Sequence, residues 1–289
     1  MIPVQFDYVA PDDMADVVRS LSQNGNARVL AGGLSLLPAM TLGRATPALL
    51  VDLRKVSGLT GIGQAPAGGV RIGAMATYDA VAAALGSGGR YQALADAIRA
   101  IGDPQVRNRG TLAGSLASGD PGADLPAVAL ALGAAIRTLG PDGPRVIPAD
   151  EFFVGPSRTA LGPAEVITAI DFPLPAAGTG SAYELIKNPA GGYAVCGAAA
   201  AIVRTPDGRV GECRVALTGA ADHAVRLPEV EGALEGLLPT SERLAASARR
   251  VRDEALTYRD DLAASAEYRA HLAEVLIERA LAHSLQRAR

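Results

Sequence analysis

Tryptophan is absent from this chain of 289 residues, and phenylalanine and tyrosine number only four and seven. Platforms on which nucleic-acid bases could stack are therefore scarce. Positive charge is no more plentiful: 27 Lys and Arg stand against 30 Asp and Glu, a formal charge of -3, with no basic tract. Both shortages argue against a nucleic-acid binder. The two cysteines, Cys196 and Cys213, are too few for an all-cysteine iron–sulfur cluster, and they are expected to be reduced and buried. The three histidines, His223, His271 and His283, have no zinc-site spacing and are expected on helices or at the surface. G-x-S-x-G and H-E-x-x-H are missing as well. Long apolar runs are also lacking. The stretch LPAVALALGAAI at 125–136 is too short to span a bilayer and reads as a buried element. No charged-then-apolar leader opens the chain, so a cytoplasmic protein without a transmembrane segment is expected.

What the chain does have is glycine, 33 in all, and two glycine-bearing segments without lysine or arginine stand out. Residues 31–38 read AGGLSLLP, and residues 110–124 read GTLAGSLASGDPGAD. Both mix glycine with hydroxyl side chains, and the second ends in a carboxylate. Backbone amides bared by missing side chains can hold an anion such as phosphate. The first segment fails the dinucleotide pattern G-x-G-x-x-G and the P-loop pattern alike. Read alone, it is either a pyrophosphate nest or merely a tight turn. Asp120 and Asp124 make a poor metal pair. A carboxylate accepting hydrogen bonds from a sugar or a flavin-type ring suits the segment better. Just upstream, Arg107 and Arg109 either carry surface charge or fix the loop. In KNPAGGY, 187–193, Tyr193 either lies against an aromatic cofactor or anchors the turn.

Periodicity predicts three units. In the first, a helix over 12–22 carries Met14, Val17, Val18 and Leu21 on one face, Asn24-Gly25-Asn26 stops it, and strands fall at Val29-Leu30 and 49–53. The second has a boundary or hairpin at 58–69, a helix capped by Thr77 and running to Leu85, a helix over 91–101, and strands at 145–147 and 164–172. Gly68-Gly69 and Gly86–Gly89 punctuate it. After a linker around 173–180, the third has strands at 181–187, 193–204 and 209–218, with an Asp-Gly hairpin signal in TPDGR. Helices over 227–238, 241–256 and 266–285 follow. The last is expected to show an apolar face of Leu272, Val275, Leu276, Arg279 and Leu285, the arginine extending its stem along the core.

The ordered set AGGLSLLPAM, PALLVDLRKV, RIGAMAT, IGDPQVRNRGTLAGSLASGDPGADLP, KNPAGGYAVCGAAAAI and AEYRAHLAEVLIERAL resembles the FAD-binding medium subunits of the molybdenum hydroxylases. That family includes the medium subunit of aerobic carbon monoxide dehydrogenase and the flavin subunit of xanthine-dehydrogenase-type enzymes. The likeness covers nearly the whole chain. It implies an α+β fold: two α/β subdomains of the vanillyl-alcohol-oxidase type, at 1–57 and 58–176, then a C-terminal domain at 177–289 with an antiparallel sheet and helices. It implies FAD contacts from Ala31, Gly32, Gly33, Leu34, Ser35 and Leu36 and from Thr111, Gly114, Ser115, Ser118 and Asp120. Of these, 31–35 and Thr111–Ser115 would surround the diphosphate. Asp124 takes the acidic FAD position, Lys187 a basic one and Tyr193 an aromatic one near the ring. No residue of the chain is expected to be catalytic or to bind metal. Two departures stand out: Ala113 precedes Gly114 where paired glycines are common, so its methyl would crowd the backbone, and Leu34 replaces a frequent His or Gln.

The resemblance also implies partners. A large subunit would carry the molybdenum cofactor and oxidise the substrate, and a small subunit would carry two [2Fe–2S] clusters, the whole forming a dimer of heterotrimers. Electrons would pass from the clusters through FAD to an external acceptor. The complex would be cytoplasmic, meeting the inner membrane face only peripherally. The alternative is a stand-alone FAD-dependent oxidase or dehydrogenase of the same fold. On the first reading the purified protein is yellow, has flavin absorbance, and releases FAD when denatured. Protein that stays colourless after incubation with saturating FAD would count against it.

Overall fold

The computed structural model describes residues 5–86 and 89–288, and three principal sheets follow one another along the chain. Residues 1–4, Ser87, Gly88 and Arg289 lie outside the described residues, and with them part of the Gly86–Gly89 punctuation.

The first unit contains β1 (Asp7–Val9), α1 (Met14–Gln23), β2 (Ala27–Leu30), α2 (Leu36–Thr41) and β3 (Leu49–Asp52). Its sheet has the order β1-β3-β2, and both pairings are parallel. The Asp13 side chain accepts the Asp16 amide at 2.8 Å and starts α1, which buries Val17 and Leu21. Asn24 closes it. The strand expected at Val29-Leu30 is β2, and it delivers the first glycine segment to the C-terminal end of a parallel sheet, where α/β folds tend to bind ligands.

The second unit runs β4 (Ile62–Gln64), β5 (Val70–Gly73), α3 (Tyr78–Leu85), α4 (Gln92–Ala100), α5 (Pro104–Arg107), α6 (Leu112–Ser118), α7 (Asp124–Ala131), β6 (Ala135–Gly140), β7 (Gly143–Pro148), α8 (Ala149–Phe152), β8 (Phe153–Gly155), β9 (Arg158–Thr159) and β10 (Val166–Phe172). The main sheet has the order β4-β5-β10-β6-β7, with every pairing antiparallel, and β8-β9 form a separate hairpin. Asp171 on β10 binds Arg71 on β5 through both oxygens, at 2.7 and 2.8 Å, and Arg137 on β6 at 2.7 Å. One carboxylate thus ties three adjacent strands.

Two stretches differ from expectation. The second glycine segment is largely helical. Thr111 caps α6, Leu112 and Leu116 are buried, and the glycines that suggested a loop lie inside it at Gly114 and at its left-handed end at Gly119, φ 55°. The apolar run 125–136 divides between α7 and the start of β6. Every residue of α7 is buried, so no polar face betrays its helical period. Gly133, φ 63°, then breaks the chain away into β6.

The third unit contains β11 (Thr179–Lys187), β12 (Ala194–Arg204), β13 (Val210–Thr218), β14 (Val225–Arg226), α9 (Pro228–Gly232), α10 (Ser241–Arg249) and α11 (Ala266–Arg287). Its strands form an antiparallel meander in sequence order. Both faces are covered, by α11 on one side and by α4 and α7 on the other. That explains the alanine run of β12: Cys196, Ala198, Ala200 and Ile202 enter the core beneath α11, while Ala199 enters the core shared with the second unit. Small side chains on both faces let helices approach from either side. The helix expected over 227–238 is only the short α9, and that over 241–256 ends at Arg249 before a tight turn at Arg250–Asp253. Arg279 is exposed. The arginine that enters the core from α11 is Arg269, 1% exposed.

Glu165, next to β10, accepts from Arg145 on β7, from the Gly162 amide and from Thr138. The Arg145 guanidinium is the chief reason its carboxyl falls from 4.5 to about 2, against the opposing effect of burial. A depressed carboxyl contributes stability above its unfolded value and loses it as pH falls through its folded value. Glu165→Gln should therefore cost about 1–3 kcal/mol at neutral pH, a range reduced for the half-exposed arginine. The gap should close as pH falls from 4.5 towards about 2. Thermal unfolding of both proteins across that range checks it; a gap that persists in acid would refute it.

Candidate functional site

The two glycine segments touch backbone to backbone. A Cβ on Gly32 would sit 2.2 Å from the Arg109 carbonyl oxygen and 3.1 Å from Gly110 Cα, so only glycine permits the contact. Gly33 has φ 80°, a conformation glycine adopts without strain. Its carbonyl accepts the Leu37 amide at 3.0 Å and so starts α2. The amides from Gly32 through Leu36 find no acceptor among the described residues. Ala31, Gly32, Gly33 and Leu36 are half-buried, while Leu34 and Ser35 are exposed. With Leu37, Pro38, Thr41 and Leu42, Gly33 and Leu34 line an open apolar groove of about 530 Å³.

The second segment is locked from below. The Gly110 carbonyl accepts the Tyr78 amide at 2.9 Å, and a Cβ on Gly110 would press 2.4 Å from the Tyr78 ring. Thr111 Oγ1 accepts the Gly114 amide at 3.1 Å, while the Thr111 and Ala113 amides have no acceptor among the described residues. The Ser115 hydroxyl bonds the Tyr78 phenol, whose pKa burial raises to about 12. Ser118 is half-buried at the end of α6. Asp120 Oδ1 accepts the Gly122 amide at 2.8 Å and shapes the turn into α7. The expected crowding by Ala113 does not occur, because its methyl lies in the core on the inner side of α6. Upstream, Arg107 donates to the carbonyls of Ile101 and Gly102 and fixes that turn. Arg109 is exposed and contributes its backbone carbonyl.

The third unit supplies a wall. Thr218 Oγ1 donates to the Pro121 and Ala123 carbonyls at 2.9 and 2.7 Å. The Gly219 amide reaches Pro121 O at 2.6 Å, and the Ala194 amide reaches Gly122 O at 3.0 Å. These bonds bring Tyr193 over the turn. Its phenol meets Ser35 and feels Asp120, and its pKa is raised by burial first and the Asp120 charge second. Asp124 is 5% exposed. Its Oδ1 accepts the Tyr183 hydroxyl at 2.6 Å. Burial lifts its carboxyl to about 6, opposed by the Tyr183 bond and the Lys187 charge. The Lys187 ammonium itself donates to the Ala100 carbonyl at the end of α4. The structure thus joins 31–36, 110–124 and Tyr193 around one place and holds Lys187 at its margin.

Tyr78, Tyr183 and Arg269 were not anticipated from sequence. Tyr78 and Tyr183 sit in apolar stretches that read as core, and Arg269 lies in a charge-mixed helix whose sequence does not mark which arginine turns inward. Arg269 Nη1 donates to Val195 O at 2.5 Å and Gly219 O at 2.6 Å, and Nη2 to Asp261 at 2.6 Å. It thereby fixes the strand ends that carry Tyr193 and grip Pro121. The histidines lie elsewhere: His223 pairs with Asp222, His283 with Glu184, and His271 is exposed on α11. Cys196 and Cys213 are free and buried, and burial raises both thiols. Among the described residues no helix is long and apolar enough to cross a membrane.

Comparison with known proteins gives a consistent result. The family described as the FAD binding domain in molybdopterin dehydrogenase matches residues 4–175, and the CO dehydrogenase flavoprotein C-terminal domain matches 181–284. The carbon monoxide dehydrogenase medium chain of Afipia carboxidovorans is 38% identical over 296 residues, covering 100% of both chains. That of Hydrogenophaga pseudoflava is 39% identical over 285 residues, covering 97% of each. Among solved structures, the carbon monoxide dehydrogenase of Hydrogenophaga pseudoflava lacking the Mo-pyranopterin moiety of its cofactor superposes with a TM-score of 0.94, at 39% identity and full coverage of both chains.

The contact at Gly32 gives a direct test. Gly32→Ala should separate the two segments, costing about 2–4 kcal/mol of stability as overpacking against backbone does, and should weaken flavin retention. His223→Ala should leave both unchanged. Thermal unfolding and bound-flavin content measure the two effects; a Gly32→Ala protein indistinguishable from the parent would refute the contact.

Proposed function

The chain belongs to the family of FAD-binding medium subunits of molybdenum hydroxylases, and on that premise we propose how its residues share the cofactor. It is an FAD-binding electron-transfer subunit of a multi-subunit molybdenum hydroxylase. FAD supplies the redox chemistry when bound; the protein supplies position, electrostatics and shelter.

One observation carries the assignment of residues: two loops in backbone contact present unpaired amides beside a buried carboxylate. Such amides suit a diphosphate, and the absence of Lys and Arg from both loops leaves them as its donors. Ala31, Gly32, Gly33, Leu34, Ser35 and Leu36 hold it from one side. Thr111, Gly114 and Ser115 hold it from the other. Leu34 contributes backbone and apolar surface, its side chain having no polar group to offer. Ser118 and Asp120 border the turn, and Tyr193 covers the ring. Asp124 accepts hydrogen bonds from a sugar hydroxyl or ring N–H. Lys187 acts through its charge, its ammonium being engaged by Ala100.

The three units act as separate functional pieces, divided at 57/58 and 176/177: two grip the cofactor and the third closes the site. The partners are a large subunit bearing the molybdenum cofactor and a small subunit bearing two [2Fe–2S] clusters, assembled as a dimer of heterotrimers. Electrons reach this chain from the clusters and leave to an external acceptor. Two cysteines, both buried, support the placement of the clusters on another chain. The assembly is cytoplasmic, where such thiols stay reduced, and any contact with the inner membrane face runs through the complex.

Asp124→Ala should raise the FAD dissociation constant about ten- to a hundredfold, the worth of hydrogen bonds to a charged group. Titration of flavin-free protein followed by flavin fluorescence measures it. An unchanged constant would remove Asp124 from the site.

A further inference from the structure

The bond between Tyr183 and Asp124 crosses from the third unit to the second. Tyr183 lies on β11, 4% exposed, and its hydroxyl donates to Asp124 Oδ1 at 2.6 Å. Asp124 begins α7, directly after the turn that Thr218, Gly219 and Ala194 hold. Space for the hydroxyl is made by Gly197 on β12: a Cβ there would lie 2.2 Å from the Tyr183 oxygen and 3.1 Å from Thr218 Cγ2. Glycine at 197 is therefore required by the tyrosine rather than by any turn, since it sits within a regular strand. The charge of Asp124 is felt by Tyr78, which bonds Ser115, and by Tyr193, which meets Ser35. Its carboxylate is therefore close enough to act on both tyrosines.

We propose that Tyr183 is a positioning residue for the cofactor site: its hydroxyl fixes one oxygen of Asp124 at the start of α7 and so sets how the carboxylate is presented. The inference rests on the reading of Asp124 as an FAD contact. The titratable groups around the carboxylate are Tyr78 from α3, Tyr183 and Lys187 from β11, and Tyr193 from the β11–β12 connection. The Cys196 thiol on β12 also acts on Tyr183. Arg214 on β13 is spent at the other end of α7, on the Leu130 carbonyl and Asp150. Lys187 is the cation acting on Asp124, and it is tethered to Ala100. Burial favours the neutral acid, while the Tyr183 hydroxyl and Lys187 favour the anion. Removing the hydroxyl leaves burial less opposed, so the acid takes up its proton at higher pH.

The test is titration of the full chain, stripped of flavin, with FAD at pH 5 to 8.5, with circular dichroism confirming the fold of each variant. The parent should lose affinity as pH falls through about 6, the value to which burial brings Asp124. Asp124→Asn should bind weakly with a flat profile. Tyr183→Phe, which keeps the ring, should shift the midpoint up by about one unit, so that affinity at acid pH falls about tenfold. Gly197→Ala, which displaces the hydroxyl without removing it, should shift the profile the same way. A Tyr183→Phe profile that superposes on the parent's, with Asp124→Asn weak and flat, would overturn this role for Tyr183 alone. An Asp124→Asn protein that binds like the parent at every pH would overturn the reading of Asp124 and the role of Tyr183 with it.

Discussion

Everything at this site depends on one close approach, the backbone of Gly32 against the carbonyl of Arg109. Two segments about eighty residues apart in sequence become one surface there, with no side chain between them. Their free amides then belong to a single cradle. The parallel sheet of the first unit delivers one edge and the cap of α6 the other. A protein with no cationic residue in either loop can hold a dianionic group this way, because amides fixed before binding need no reorganisation when the charge arrives.

The third unit completes that surface without contributing a glycine segment of its own. Thr218, Gly219 and Ala194 bond the turn between α6 and α7, and Tyr193 arrives with them. Gly219 has φ 77°, and a Cβ there would strike the carbonyls of Ala194 and Val195 at 2.7 and 2.8 Å. Behind it stands Arg269, nearly solvent-free, with two backbone carbonyls and Asp261 as partners and its Nε without one among the described residues. A cation so deeply placed is costly unless its geometry is well satisfied. Here it cross-links two strand ends that both touch the cofactor turn.

The order of units, a strand leading into the first glycine segment, the three long strands of the meander and the two glycine segments themselves were legible because each leaves a local signature. Capping side chains at Asp13 and Thr77, the Asp-Gly hairpin and the two glycine runs all act within a few residues. What escaped was set by tertiary burial. The helix at 124–131 has no polar face, so its period is invisible, and glycines inside α6 read as loop. The choice of Arg269 over Arg279 as the inward arginine depends on which face of α11 meets β12, which no local pattern specifies. The partnership of Tyr183 with Asp124 was equally hidden, since it joins two buried stretches 59 positions apart.

The position of Arg269 also sets a timetable. Chains emerge from the ribosome from N- to C-terminus, and the two glycine segments appear early. The strand ends they rest against come later, and the arginine that fastens those ends lies later still, in α11, the last described helix. The cradle is therefore made long before its wall is secured. A product cut short before α11 keeps both glycine segments but lacks the arginine that ties Val195 to Gly219.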